Sequence, residues 1–459
     1  MKYDAIIIGS GQAGMPLSLK LADKGWHVAL VEKGPLGGTC INTGCTPTKT
    51  MVQRAQIAYY ASHAARWGVR ASNVSVDLPE IVAQKDKVVH HMRGPKQGQI
   101  DQRPDMRLYR DTARFVGPHQ LSVGGETLES EKIFINTGTR PLIPAIAGIE
   151  SSGYLTNATI MELTSVPETL LILGGGYIGL EFAQMFARFG SRVTVIEPRD
   201  QIIPREDPEI AAELRRSLEI EGIKFLVNTR AQRIERKGDS VVLSLAGGDA
   251  NSAASTVTGS HLLVATSRRP NTDDLALDKA GIATNEAGFV KVNSKLETNV
   301  PGVWALGDVN GGPQFTHISY NDYQIVYGNI VDGKNFATEH RLVPYCLFCD
   351  PELGSVGLTE KQARAKGYKL KIGSLAMTHV SRAIERDETN GLMKIVVDAS
   401  NDRILGATIL SSAGGETIHI LYTLMLANLP YTFLKGAIYI HPTMAEGLFS
   451  LLETVKPVS

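Results

Sequence analysis

Neither sign of charge is in excess. Forty-seven basic residues balance 47 acidic ones, so the overall charge does not point to nucleic acid or an anionic membrane. No apolar run approaches the ~20 residues a membrane helix needs, and no low-complexity segment interrupts the chain. The opening MKYDAIIIGSG passes straight into a strand-like segment without a signal peptide. A cytoplasmic protein is expected. Cysteine is scarce, four in 459 residues. In a reducing compartment a structural disulfide is disfavoured, and close cysteines belong more often to a metal site or to redox chemistry.

What is present is a glycine-rich, 43% hydrophobic chain with 45 glycines, the composition of a globular protein with many tight turns. At about 150 residues per domain its length suggests roughly three domains. Residues 3 to 32 read as strand (YDAIII), turn (GSGQAG), helix (MPLSLKLADKG) and strand (HVALVE), and the pattern returns at 169 to 197 as TLLIL, GGGYIG, LEFAQMFARFG and SRVTVIE. The short apolar runs suit buried parallel strands, and the duplication predicts two nucleotide-binding domains built alike. Pro/Gly-rich crossings near 150 and after HLLVATSRRPN mark boundaries, and from 336 strand-like and helical runs alternate as in a separate α+β domain.

Gly9, Gly11 and Gly14 form G-x-G-x-x-G between a strand and a helix, and Glu32 closes the next strand 18 residues after Gly14. The first glycine permits the turn, the second lets a pyrophosphate approach the backbone, and the third allows close helix–strand packing. The helix N-terminus favours the anion, and the acid suits a ribose hydroxyl. Gly174, Gly176, Gly179 and Glu197 repeat the set, so two dinucleotides are expected. Glu197 favours the free ribose of NADH over the phosphate of NADPH, with Arg199 close enough to oppose it.

Four residues separate Cys40 from Cys45 in GGTCINTGCTPTKT. Thr46-Pro47 reads as a helix start, which puts Cys45 near a helix N-terminus, where a thiolate is favoured. Asn42 and Gly44 allow the bend that two bridging sulfurs need. Cys346 and Cys349 fall on a strand-like run, where residues three apart face opposite sides, so two buried apolar thiols are expected there, with a second redox or metal-relay pair the alternative if the chain bulges or turns.

In the order in which they occur, GSGQAG, GGTCINTGCTPTK, GGGYIGLEFA, ATSRRPN, ALGDV, DPELGSVGLTE and HPTMAE resemble the class I pyridine nucleotide–disulfide oxidoreductase family. Glutathione reductase, dihydrolipoamide dehydrogenase and mercuric reductase are its members. The resemblance covers essentially the whole chain. It implies an α/β fold with two Rossmann-like dinucleotide-binding domains and a C-terminal α+β dimerisation domain. The expected spans are an FAD-binding domain over 1–150 with a return segment at 271–335, an NAD(P)H-binding domain over 151–270, and an interface domain over 336–459. It also implies a homodimer with active sites shared between subunits.

By the same resemblance, NAD(P)H reduces FAD, which opens a redox-active Cys40–Cys45 pair. Cys40 exchanges with substrate and Cys45 lies against the flavin. Lys49 and Glu181 pair beside the ring. His441 is the acid–base partner across the dimer, oriented by Glu446, although Thr443-Met-Ala-Glu446 also reads as a capping box for the last helix. FAD falls to the first glycine turn with Glu32, to Gly38, Thr39 and Lys49, to Thr137 and Gly138, and to Asp308. Phe315, Thr316 and His317 join it at the pyrimidine end, with a core position the alternative for His317. NAD(P)H falls to the second turn with Tyr177, Ile178 and Glu197, and to Arg268.

Among family members, CINTGCTPTKT, PRED and QFTHISYNDYQIV look most like the hypothiocyanous acid reductase and mercuric reductase-like branch. The mercuric reductases' second cysteine pair near the C-terminus has no counterpart in SLLETVKPVS, and neither that pair nor an N-terminal metal-binding domain is expected. A disulfide-like or thiol-reactive small substrate such as hypothiocyanous acid is therefore expected. Mercuric-ion reduction, or a dihydrolipoamide dehydrogenase role within a 2-oxoacid dehydrogenase complex, is the alternative. No metal site, nucleic acid or membrane partner is expected.

Overall fold

The computed structural model describes residues 1–247 and 256–458. Contacts divide the chain into two compact units, one of Met1–Met51, Pro79–Ile143 and Ser267–Arg341, the other of Val52–Leu78, Pro144–Thr266 and Leu342–Ser459.

A five-stranded parallel sheet organises the first unit, in the order Val303–Ala305, Ile133–Ile135, Ala5–Ile8, Val28–Val31, Met106–Tyr109. The four inner and return strands carry apolar residues throughout because both faces are covered. Ile6, Ile8, Ala29 and Val31 point into one core. Ala5, Ile7, Val28 and Leu30 point into the other, as a two-residue period requires. Helix Gly14–Ala22 lays Met15, Leu17 and Leu21 on that second core.

The second unit repeats the arrangement in a parallel sheet ordered Lys224–Leu226, Arg192–Ile196, Thr169–Leu173, His261–Val264. Its helix Tyr177–Phe189 ends at Gly190, whose φ of 113° favours glycine. The same unit holds a six-stranded antiparallel sheet, Tyr345–Leu347, Glu352–Gly357, Ile404–Ser411, Leu392–Asp398, Leu370–Ala376, Lys456–Pro457. Ile395, Ile409, Ile418, Leu421 and Leu448 join its core with helices Gly414–Leu426 and Gly447–Glu453. Two Rossmann-like folds and a C-terminal α+β fold are thus present. Among the described residues no helix is long and apolar enough to cross a membrane.

One buried cation stands out. The Lys394 side chain is 3% exposed, with its ammonium 2.9 Å from Asp207 and 2.9 Å from Glu360 and paired also with Glu209. Three carboxylates offset the cost of burying that charge.

Candidate active site

The first glycine turn is closed by contacts that leave no room for a side chain. A Cβ on Gly9 would lie 2.3 Å from the Asn136 carbonyl oxygen, and one on Gly14 would lie 2.0 Å from that of Gly9. Asn136 fastens the turn, since its Oδ1 accepts the Gly14 N–H at 2.9 Å and its Nδ2 donates to the Leu306 carbonyl at 2.7 Å. Glu32 also holds the turn. Its Oε2 accepts from the Ser10 N–H and hydroxyl at 2.9 and 2.7 Å, while Oε1 accepts from the Gly34 N–H at 2.8 Å.

The cysteine segment is built onto this turn. Gly38 opens helix Gly38–Asn42, and a Cβ there would meet the Gly11 Cα at 2.8 Å. Gln12 donates to the Gly37 carbonyl at 3.2 Å, and the Gly37 N–H donates to Ser10 Oγ at 3.2 Å. Thr39 is exposed and Cys40 half-buried on this short helix. Asn42 then ties the bend, donating to the Leu36 and Gly38 carbonyls at 3.0 and 2.9 Å.

Cys45 is the first residue of helix Cys45–Ser62 and is exposed. The two sulfurs are thiols, not a disulfide. The hydrogen bond from Cys40 lowers the Cys45 pKa to about 6 against the opposing effect of burial, with help from the Thr316 hydroxyl and the Lys49 ammonium. Thr316 Oγ1 lies 3.0 Å from Cys45 Sγ. That same bond to Cys45 pushes the Cys40 thiol up, as does burial. One sulfur of the pair is thereby set up as the thiolate and the other as the proton donor.

Asp308 and its neighbours complete this unit. The Asp308 carboxylate accepts from Thr139 Oγ1 at 3.0 Å, and burial raises its pKa. Arg268, expected at the second nucleotide, lies in the first unit and donates to Thr139 Oγ1 and its carbonyl at 2.7 and 2.8 Å. Phe315 precedes helix Thr316–Ile330 and stacks on His317 with centroids 5.5 Å apart. His317 is exposed, which overturns the core-histidine alternative. Thr137 Oγ1 is buried with no hydrogen-bond partner among the described residues, and open space faces Gly138. These features, with the glycine cradle, fit FAD.

The second turn repeats the geometry of the first. Gly174 and Gly179 are closed by backbone oxygens at 2.6 and 2.1 Å from an added Cβ, whereas Gly176 faces open space, the place where a pyrophosphate approaches. Glu197 accepts the Gly175 N–H at 2.8 Å and the Arg199 N–H at 3.0 Å. Ile178 is half-buried. Tyr177 donates at 2.7 Å to Glu206 Oε1, which also accepts from Tyr345 at 2.7 Å, and the two rings stack. Glu181 is buried and accepts the Phe348 N–H at 3.0 Å.

His441 is 66% exposed, and its Nδ1 sits 2.9 and 3.0 Å from the two Glu446 oxygens. The capping box forms only by half. Thr443 Oγ1 accepts the Glu446 N–H at 3.2 Å, but the Glu446 carboxylate is committed to His441, and the last helix starts at Gly447. Cys349 is buried as expected, whereas Cys346 is only half-buried on strand Tyr345–Leu347, and neither is in a disulfide.

The match to a known family spans this whole framework. Residues 3–322 match the pyridine nucleotide-disulphide oxidoreductase family, and residues 343–451 match that family's dimerisation domain. The chain belongs to this family. It is a flavoprotein disulfide oxidoreductase that uses FAD and a pyridine nucleotide. It is 38% identical to the probable pyridine nucleotide-disulfide oxidoreductase RclA of Escherichia coli, over 99% of this chain and all of that one. The solved structure of that HOCl-induced flavoprotein disulfide reductase superimposes with a TM-score of 0.89, and its Cu(II) complex with 0.90, each covering 99% of this chain and 100% of its own. A dihydrolipoyl dehydrogenase of Thermus scotoductus is 36% identical over 99% of this chain and 97% of its own. A mercuric reductase of Lysinibacillus sphaericus is 34% identical over 97% and 81%.

Asn136, Thr139 and Ser10 escaped prediction from sequence because each acts through hydrogen bonds to groups distant in the chain. Asn136 follows the strand Ile133–Ile135 directly, and a polar residue closing a wholly apolar strand was the available signal.

Proposed function

We propose that Cys40 and Cys45 carry electrons from the bound FAD to a small, thiol-reactive substrate of the hypothiocyanous acid kind. The observation that supports this most is the pair itself. It is built onto the first glycine turn, with Cys45 at a helix start and held near pKa 6. FAD, when bound, passes the reducing equivalents of NAD(P)H to the pair. Gly9, Gly11, Gly14, Glu32, Thr137 and Asp308 hold it. Lys49, Phe315, Thr316 and His317 would also contact it. Gly174, Gly176, Tyr177, Gly179 and Glu197 would hold the nicotinamide cofactor, and NADH is preferred.

In the substrate half-reaction Cys40 gives its proton to His441 and attacks the sulfur of hypothiocyanous acid, and hydroxide leaves, taking a proton to become water. Cys45 then attacks Cys40 Sγ, thiocyanate departs, and the Cys40–Cys45 disulfide is restored. His441 supplies and collects the proton through Nε2, because Glu446 fixes the Nδ1–H.

The dimer reading has physical support in Ile438 and Ile440, which are 100% and 79% exposed immediately before His441, and in Phe433 at 62%. Apolar side chains this open, beside a proton-transfer candidate and in the segment that matches the dimerisation domain, suit burial by a second copy. We place the dimer in the cytoplasm, where reduced thiols persist. The test is NADH and NADPH oxidation with hypothiocyanous acid, lipoamide, glutathione disulfide, Hg(II) and Cu(II). Cu(II) is included because one solved relative is its complex. Turnover of hypothiocyanous acid should dominate and vanish in Cys40→Ser. Preference for lipoamide or a metal ion would refute the substrate assignment.

A further inference from the structure

The segment HHMRGPKQ, residues 90–97, carries basic side chains that no step above uses. Two of them reach the short helix that bears Cys40. Arg93 Nη1 donates to Asn42 Oδ1 at 3.2 Å. The Lys96 Cε packs against Gly37, where a Cβ would meet it at 3.2 Å. A stem wedged on backbone localises its head, as when lysine snorkels along an apolar surface.

The Lys96 ammonium is half-buried and has no carboxylate or hydrogen-bond partner among the described residues. Burial lowers its pKa, and the charged group that acts the other way is Cys40. A partly desolvated cation without an acid beside it favours an anion from elsewhere. Arg93 uses one of its five N–H donors on Asn42, and among the described residues no ion pair occupies the others.

We infer that Lys96, with Arg93 beside it, makes Cys40 selective for thiol-reactive substrates that carry negative charge. The inference rests on Cys40 being the sulfur that meets substrate, and it narrows that substrate's chemistry. A thiolate repels an anionic electrophile, and a fixed ammonium offsets that repulsion without any contact to the scissile bond. Lys96 therefore acts as a specificity residue.

The Cys45→Ser holoenzyme leaves Cys40 permanently as a thiol, which allows a direct test. Its alkylation by anionic iodoacetate and by neutral iodoacetamide is followed by mass on the peptide of residues 34–49. The iodoacetate-to-iodoacetamide rate ratio should fall about threefold to tenfold in Lys96→Gln, the scale of one unit charge acting in a partly solvated site. Lys96→Arg should retain the ratio, Arg93→Gln should lower it less, and 0.5 M salt should flatten the differences. A ratio unchanged in Lys96→Gln overturns the inference. So does an equal slowing of both reagents, which marks a structural effect. Absence of any alkylation at Cys40 overturns both this inference and the assignment of Cys40 as the substrate-facing sulfur.

Discussion

Replacing Thr316 by valine removes one hydroxyl and keeps the side-chain shape. In the structure that hydroxyl lies 3.0 Å from Cys45 Sγ and stands first in helix Thr316–Ile330. A hydrogen bond to a charged acceptor contributes about 1.5–3 kcal/mol. The contact is open to solvent, so about 1 kcal/mol is the better figure here. At 1.36 kcal/mol per pKa unit, the Cys45 midpoint should rise by just under one unit from about 6. The sign follows from which state is bonded. The hydroxyl stabilises the thiolate, so its loss favours the thiol, and the fraction of thiolate at pH 7 should fall. The assay is the pH dependence of Cys45 alkylation by iodoacetamide in reduced protein, mapped by mass, in wild type and Thr316→Val. A midpoint that stays put or moves down would refute the argument that this hydroxyl donates to the sulfur.

Lys394→Met should destabilise the fold by about 3–5 kcal/mol, because the buried Asp207 and its neighbours Glu209 and Glu360 lose their counter-ion. Urea unfolding at fixed protein and FAD concentration reads this, and a loss under 1 kcal/mol would contradict it. Gly14→Ala should leave the protein short of FAD, since the new Cβ would collide with the Gly9 carbonyl oxygen at 2.0 Å; a full flavin-to-protein absorbance ratio would count against the cradle. NADH should support kcat/KM at least equal to NADPH, with a clear NADPH preference refuting the role given to Glu197. A hybrid dimer of Cys40→Ser with His441→Ala should keep near-half activity if the site is shared, and only the single-mutant floor, about 10²–10⁴-fold down, if it is not.

The two glycine turns were legible because their chemistry is local: strand, turn, helix and acid follow one another within 30 residues. The start of the Cys45 helix was legible for the same reason, through Thr46 and Pro47. The bond from Thr316 to Cys45 was not legible, since it joins residues 271 apart in sequence. The Glu446 carboxylate was ambiguous between cap and histidine partner, because both lie within five residues and only the fold decides between them. The Lys394 cluster draws on Asp207, Glu209 and Glu360, separated by up to 187 residues, and no periodicity brings such groups together. Arg268 sits in a motif legible as a unit, yet its contacts with Thr139 depend on a strand pairing, Arg268–Pro270 with Thr139–Pro141, that the sequence does not announce.

Glu32 and Glu197 each grip the N–H that follows the first glycine of their own turn. The group expected to read the ribose is therefore also a fastener of the loop expected to receive the phosphates. Retuning the cofactor by exchanging Glu197 alone would orphan the Gly175 and Arg199 N–H groups, each a loss on the order of 1–3 kcal/mol. A redesign towards NADPH has to furnish a substitute acceptor within the same loop along with a cation for the phosphate. Drift in coenzyme choice should then proceed by paired rather than single replacements.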